Sequence, residues 1–143
     1  DKKERKAILE ELKNETRTII LYEAPHHLVG TLQELYQALG NRRMTLCREL
    51  TKKYETAFRT TIEDLIAFYK DQKPLGECVL VIEGRSRKEM EQESQESWRD
   101  ISIEEHMAIY ENQGIARKEA MKMVAKDRGV TKRDIYQALL LQK

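Results

Sequence analysis

The sequence predicts an α/β domain followed by a small helix-turn-helix-like tail. Three observations carry that expectation. Over residues 1–85, apolar runs rich in β-branched residues alternate with helical patterns. Two of those runs stop abruptly in polar clusters, RTIILYEAPHH at 17–27 and CRELTKKYE at 47–55. The composition then changes at Arg85, after which apolar residues recur only at helical spacing.

The elements follow in order. Ala7, Ile8 and Leu12 have helical spacing, which predicts a short amphipathic helix over 2–14. Residues 18–22, TIILY, read as a buried strand that Pro25 ends. Leu28, Leu32, Leu35, Tyr36 and Leu39 mark a helix, closed by Gly40 as its C-terminal cap. A second strand is expected over 43–50 and a weaker third over 54–60. Thr61 opens a helix to about residue 70, with Leu65, Ile66 and Tyr69 inward. After the loop 73–76, residues 77–83 (ECVLVIE) form the clearest core strand, ended by Gly84.

Residues 86–100 read as a charged, part-helical linker. Helices are expected over 102–112, 116–128 and 131–141, broken at Gly114 and Gly129. Thr131 is a good N-cap, with Asp134 three residues on. Ile115, Ala120, Met123, Val124, Val130, Ile135, Leu139 and Leu140 are the expected mini-core of this helical domain, 101–143.

Bulk properties bound the function. The chain has 143 residues, 40% hydrophobic and 36% charged, so its helical surfaces should be heavily solvated. The net charge of +1 hides an asymmetry: residues 88–111 hold eight acidic and two basic residues, and 114–133 hold seven basic and two acidic ones. No apolar run approaches the ~20 residues that span a bilayer, so no membrane partner is expected. Cys47 and Cys78 lie in apolar runs without a CxxC pair; reduced thiols in a cytoplasmic protein are expected, not a metal site. The chain opens at Asp1 and enters a helix almost at once, which reads either as a piece cut from a longer polypeptide or as a processed or trimmed start.

The polar clusters are the candidate chemistry. Tyr22, Glu23, Ala24, Pro25, His26 and His27 follow a strand end. They read either as a turn or as a cleft lining, with Tyr22 for stacking and Glu23 for hydrogen bonds. Adjacent His26 and His27 point opposite ways on an extended chain, which is poor metal geometry. Glu49 could accept hydrogen bonds from a ligand, and Arg42, Arg43, Arg48, Lys52 and Lys53 could contact phosphates; the alternative is an ordinary charged strand end. Gly76 before Glu77 either admits a ligand or makes a turn. In the tail, Arg117, Lys118, Lys122, Lys126, Arg128, Lys132 and Arg133 are either a solvated face or a nucleic-acid contact. The sequence has no P-loop, GxGxxG or GxSxG. Ligands bind outside the carboxyl ends of strands in open α/β sheets, so the two strand tips should share a cleft.

Taken in order, RTIILYEAPHH, LCRELTKKYE and GECVLVIEG resemble the C-terminal half of the 16S ribosomal RNA ribose 2′-O-methyltransferases, a family of the tetrapyrrole methylase superfamily. The resemblance covers residues 2–84, and the basic tail is similar to that family's small helical C-terminal domain. It implies a mixed-sheet lobe with flanking helices, S-adenosylmethionine as cofactor, and 16S rRNA or the small ribosomal subunit as partner. It also implies a missing N-terminal lobe of the same polypeptide, a homodimer, and an activity, cytidine 2′-O-ribose methylation, that this chain alone lacks. Carried over by position, Tyr22, Glu23 and Ala24 would line the cofactor pocket, Glu49, Leu50 and Thr51 an adjoining wall, and Gly76 and Glu77 a third edge. Glu49 is a weak candidate for the general base. Arg43, Arg48, Lys52 and Lys53, with Arg117, Lys118, Lys122 and Lys126 of the tail, are expected RNA contacts. The chain departs from the family at His27, where Arg is usual, and near Thr60, where Gly is usual. The rival expectations are an RNA-binding module without catalysis and a methylase lobe acting on a corrin or porphyrin.

Overall fold

The computed structural model describes residues 1–141 and divides into two units, Asp1–Arg85 and Ser86–Lys143.

In the first unit, helix α1 (Lys2–Lys13) is capped by the Asp1 carboxylate, which accepts from the Lys3 amide at 2.9 Å. Strand β1 (Ile19–Glu23) leads through a 3₁₀ turn (Pro25–His27) into α2 (Leu28–Leu39). Gly40 caps that helix at φ 76°. Strands β2 (Arg43–Arg48) and β3 (Thr56–Thr61) form a hairpin. The Thr61 hydroxyl accepts from the Asp64 amide to start α3 (Ile62–Phe68), and β4 (Cys78–Ile82) completes the sheet.

The strand order is β1-β4-β2-β3, with every neighbouring pair antiparallel. The mixed sheet expected from the family resemblance is therefore corrected for the described strands. β1 and β2 run in the same direction, joined through α2, but do not touch. β4 returns from α3 in the opposite direction and fills the gap between them. The register sets Glu23 and Arg48 on either side of Cys78, so the ends of β1 and β2 and the start of β4 lie at one edge.

Helices cover one face of this sheet. Leu28, Leu32, Leu35 and Leu39 of α2 and Ile62 and Leu65 of α3 pack against Met44, Leu46, Leu80 and Ile82. Each fully buried leucine contributes about 1.5–3 kcal/mol over its exposed state. The opposite face stays open: Ile20 is 60% and Tyr22 84% exposed. The expectation of a fully buried β1 is corrected accordingly, because successive side chains alternate between faces and only one face has a helical layer. Cys47 is half-buried for the same reason, and Cys78 is buried.

In the second unit, residues 86–100 do not form a separate linker. Ser86 caps α4 (Arg87–Ser97), accepting from the Glu89 amide at 3.3 Å, and α4 packs against α6. A reciprocal Ser102–Glu105 capping box opens α5 (Ile103–Glu111). Helix α6 (Arg117–Arg128) ends at Gly129, φ 66°, and Thr131 and Asp134 exchange bonds at the start of α7 (Lys132–Leu141). The core is Met107, Ala120, Val124, Ala125, Ile135 and Leu139. Met123, Val130 and Leu140, expected inside, are exposed; α6 and α7 turn Ala120, Val124, Ile135 and Leu139 inward instead.

Candidate functional site

The β1 and β2 ends and the β4 start bring Glu23, Glu49, Gly76 and Glu77 to the same edge of the first unit. Both glutamates nearest the sheet are held by internal partners. Glu23 accepts from the Ala24 amide at 2.8 Å and from the Thr31 hydroxyl at 2.5 Å. Thr31 in turn accepts from Arg5 at 2.7 Å. Tyr22 projects from the open face of the sheet, flanking Ala24, which begins the turn.

The 49–51 turn is more tightly specified. Glu49 and Thr51 adopt left-handed φ values of 52° and 66°, a conformation that costs a non-glycine residue on the order of 1–3 kcal/mol. The Glu49 amide donates to the Glu77 carbonyl at 3.1 Å, and its Oε1 accepts from the Glu77 amide at 2.6 Å. Gly76, at φ 79°, makes this possible: a Cβ there would lie 2.3 Å from Glu49 Oε1. The Glu77 amide, followed by the Lys52 ammonium, holds the Glu49 carboxyl below its ordinary range. Glu49 is thus a carboxylate fixed in place by the Glu77 amide and the Lys52 ammonium. Lys52 reaches Glu77 at 3.0 Å and Glu49 at 3.5 Å, and Arg48 donates to the Leu75 carbonyl at 2.7 Å. Leu50, 38% exposed, sits on the same turn as Thr51.

The basic residues grouped in the sequence do not share one surface. Arg43 starts β2, about 17 Å along the strand from Arg48, and makes a two-pronged contact with Glu83 at 2.7 and 3.0 Å. Arg42 donates to the Leu39, Glu83 and Lys13 carbonyls. Lys53 lies 5.5 Å from the Tyr54 ring centroid. His26 and His27 occupy a 3₁₀ turn rather than an extended segment, which brings their ring centroids to 4.0 Å.

In the tail, Arg117 pairs with Glu111 at 2.9 Å and Lys122 with Glu119 at 2.7 Å. Lys118 and Lys126 are exposed. Arg128 turns inward, donating to His106 Nδ1 at 3.0 Å and to the Ile101 carbonyl. His106 is fully buried, stacked on Trp98 with centroids 3.8 Å apart, and its Nε2 lies 2.9 Å from Asp127. Tyr110 donates to the same carboxylate. Sequence reasoning passed over His106; the available signal was the inward stripe Ile103, His106, Met107 and Tyr110, at helical spacing on α5.

No protein-family model matches the chain. Curated relatives do. A Bacillus subtilis protein named ribosomal RNA small subunit methyltransferase I is 44% identical over 137 residues, covering 96% of this chain and 47% of that protein. Proteins of the same name from Halalkalibacterium halodurans and a Synechocystis strain are 43% and 39% identical, over 94% and 95% of this chain. The chain spans about half the length of these relatives. Along 94–96% of its length the chain is thus similar to about half of each of these proteins named ribosomal RNA small subunit methyltransferase I.

Proposed function

We propose that the first unit is one wall of the cofactor cleft of an S-adenosylmethionine-dependent rRNA methyltransferase, and the second an RNA-contacting tail. The observation that carries this reading is the shared edge where β1, β2 and β4 present Glu23, Glu49, Gly76 and Glu77. The exposed Tyr22 ring and the Leu50–Thr51 turn, held in place by Glu49 packed on Gly76, offer apolar and polar contacts of the kind an adenosine needs. The bound cofactor would supply a methyl group already activated on a sulfonium. This chain's residues would bind and orient it, so that a cytidine ribose hydroxyl of 16S rRNA meets the methyl carbon in line. Glu49 acts here as a positioning residue, holding the turn through Glu77. The other half of the relatives' length would complete the cleft. The reading extends to a homodimer, to the small ribosomal subunit as substrate, and to a cytoplasmic enzyme.

Two experiments test it. Incubated with small ribosomal subunits and methyl-labelled S-adenosylmethionine, this chain alone transfers no label. Fused behind the unmatched half of the Bacillus subtilis relative, it does. Normal turnover by the chain alone, or none by the fusion with that relative's own second half active as control, overturns the proposal. In the active fusion, Glu49→Gln keeps kcat within about threefold, because the amide oxygen still accepts from Glu77. Loss of a true general base costs about 10²–10⁴-fold, and a loss of that size would make Glu49 catalytic.

A further inference from the structure

We propose that the outer face of α7 is a platform for single-stranded RNA, with Tyr136 stacking on a base and Lys132 and Arg133 holding the flanking phosphates. The inference rests on the reading of the tail as RNA-contacting and names where and how the contact is made.

Ile135 and Leu139 commit one face of α7 to the core. Tyr136 lies on the other, 54% exposed, three residues after Arg133 and four after Lys132, so the three side chains are neighbours on the helix surface. Leu140, half exposed, continues the stripe one turn on. A cation pair, with Lys132 half-buried and Arg133 exposed, is thus followed on one helix surface by an exposed aromatic and an exposed aliphatic side chain, the combination that a phosphate with a stacked base requires.

The state of the charges selects an anionic occupant. Elsewhere on the tail, Arg117 and Lys122 already hold carboxylates, and Arg128 is enclosed with His106. Lys132 and Arg133, like Lys118 and Lys126, form no ion pair among the described residues, although Lys132 is near enough to Glu119 to help lower its carboxyl pKa; what sets the α7 pair apart is the Tyr136 ring beside it. The carboxylate beside them, Asp134, is occupied by the Thr131 amide at 2.8 Å and the Thr131 hydroxyl at 2.6 Å. Two cations without ion pairs beside an open aromatic ring match a phosphate backbone with accessible bases. In a duplex the base faces are buried in the stack, and Tyr136 would have nothing to cover.

The test uses the whole chain and fluorescence anisotropy with a labelled 12-nucleotide RNA, single-stranded and as the matched duplex, across a salt series. Tyr136 and Arg133 are exposed, so the variants keep their fold, checked by thermal melting. Expected are preference for the single strand, about tenfold weaker binding in Tyr136→Ala with recovery in Tyr136→Phe, and a shallower salt slope in the Lys132→Ala, Arg133→Ala double variant, each lost phosphate contact removing about 0.7. If Tyr136→Ala binds as well as the parent while Lys118→Ala, Lys122→Ala and Lys126→Ala together abolish binding, the α7 platform is wrong and the RNA-contacting tail stands. If no RNA binds at low salt, both fail. If intact small subunits bind through Tyr136 but naked RNA does not, the face recognises protein and the proposal is overturned.

Discussion

Gly84→Ala should be among the most damaging single changes in the first unit, lowering its stability by about 3 kcal/mol. A Cβ at this position would lie 2.2 Å from the Thr16 carbonyl oxygen, 2.3 Å from the Thr16 carbonyl carbon and 2.5 Å from the Arg17 carbonyl oxygen. All three are main-chain atoms, so no side chain can swing away; the two segments must separate. They cross where the chain leaving β4 passes the chain entering β1. That crossing is fastened by the Arg85 amide on the Glu15 carbonyl at 2.6 Å, and by Arg42 on the Lys13 carbonyl at 3.2 Å. Separation would loosen the Ile19–Ile82 end of the sheet, where both residues are core. Overpacking typically costs about 1–3 kcal/mol, and an unyielding backbone puts this site at the upper end. Gly30→Ala is the matched control. Gly30 lies inside α2 with nothing within 4 Å of its Cβ position, so alanine should stabilise by about 0.5–1 kcal/mol through helix propensity alone. Urea unfolding measures both. Equal shifts would show that the crossing is not as tight as the backbone distances require.

Gly84 also shows where sequence reading stops. As the residue that ends ECVLVIE it was legible; its contact with Thr16 was not, because nothing local in 83–85 refers to a segment nearly seventy positions earlier. The same division runs through the fold. Strands, helices and caps such as Thr131–Asp134 follow from period and residue type, which are local. The order β1-β4-β2-β3 does not, since it depends on which strand fills the space between β1 and β2. The open face is another long-range fact: alternation in TIILY shows that two faces exist, and only the helical layer decides which is covered. At the site, the residues carried by YEAPHH, RELTKK and GE were legible as a group because they follow strand ends. Their internal engagement was not. Glu49 reads as a free carboxylate until Gly76 and the Glu77 amide stand against it, and Arg43 reads as a partner of Arg48 until the strand separates them. In α4 the sparse apolar residues form no helical stripe, yet the helix is present, capped by Ser86 and packed on α6.

The second large effect is expected at the buried His106 cluster. Arg128 is always a donor, so His106 Nδ1 must accept and Nε2 must carry the proton it gives to Asp127. This is the neutral tautomer. Protonating Nδ1 would break the Arg128 contact and set two cations together in a buried site. Burial first, then the Arg128 charge, lowers the His106 pKa below 6.5, with the Asp127 carboxylate opposing; Tyr110, on the same carboxylate, is pushed up to about 12, above any pH in question. A histidine whose folded pKa is depressed contributes its full stability above the unfolded value of 6.5. That contribution falls as pH drops from 6.5 toward the folded pKa, where the folded form also takes up its proton. The second unit should therefore lose stability on acidification below pH 6.5, by at most about 1.4 kcal/mol per pH unit, and gain nothing between pH 7 and 8 from this residue. His106→Gln should flatten that dependence. Asp127→Ala should act at all pH values, leaving the His106 N–H and the Tyr110 hydroxyl without their acceptor at a cost of about 2–4 kcal/mol. In a unit of this size that is a fall in Tm of about 10 °C or more. Trp98 supplies the readout, because it stacks on the imidazole and its fluorescence reports the cluster directly. A melting temperature that rises on acidification from pH 6.5 to 5.5, or an Asp127→Ala protein that melts with the parent, would show that the cluster does not hold α4, α5 and α6 together as its hydrogen bonds require.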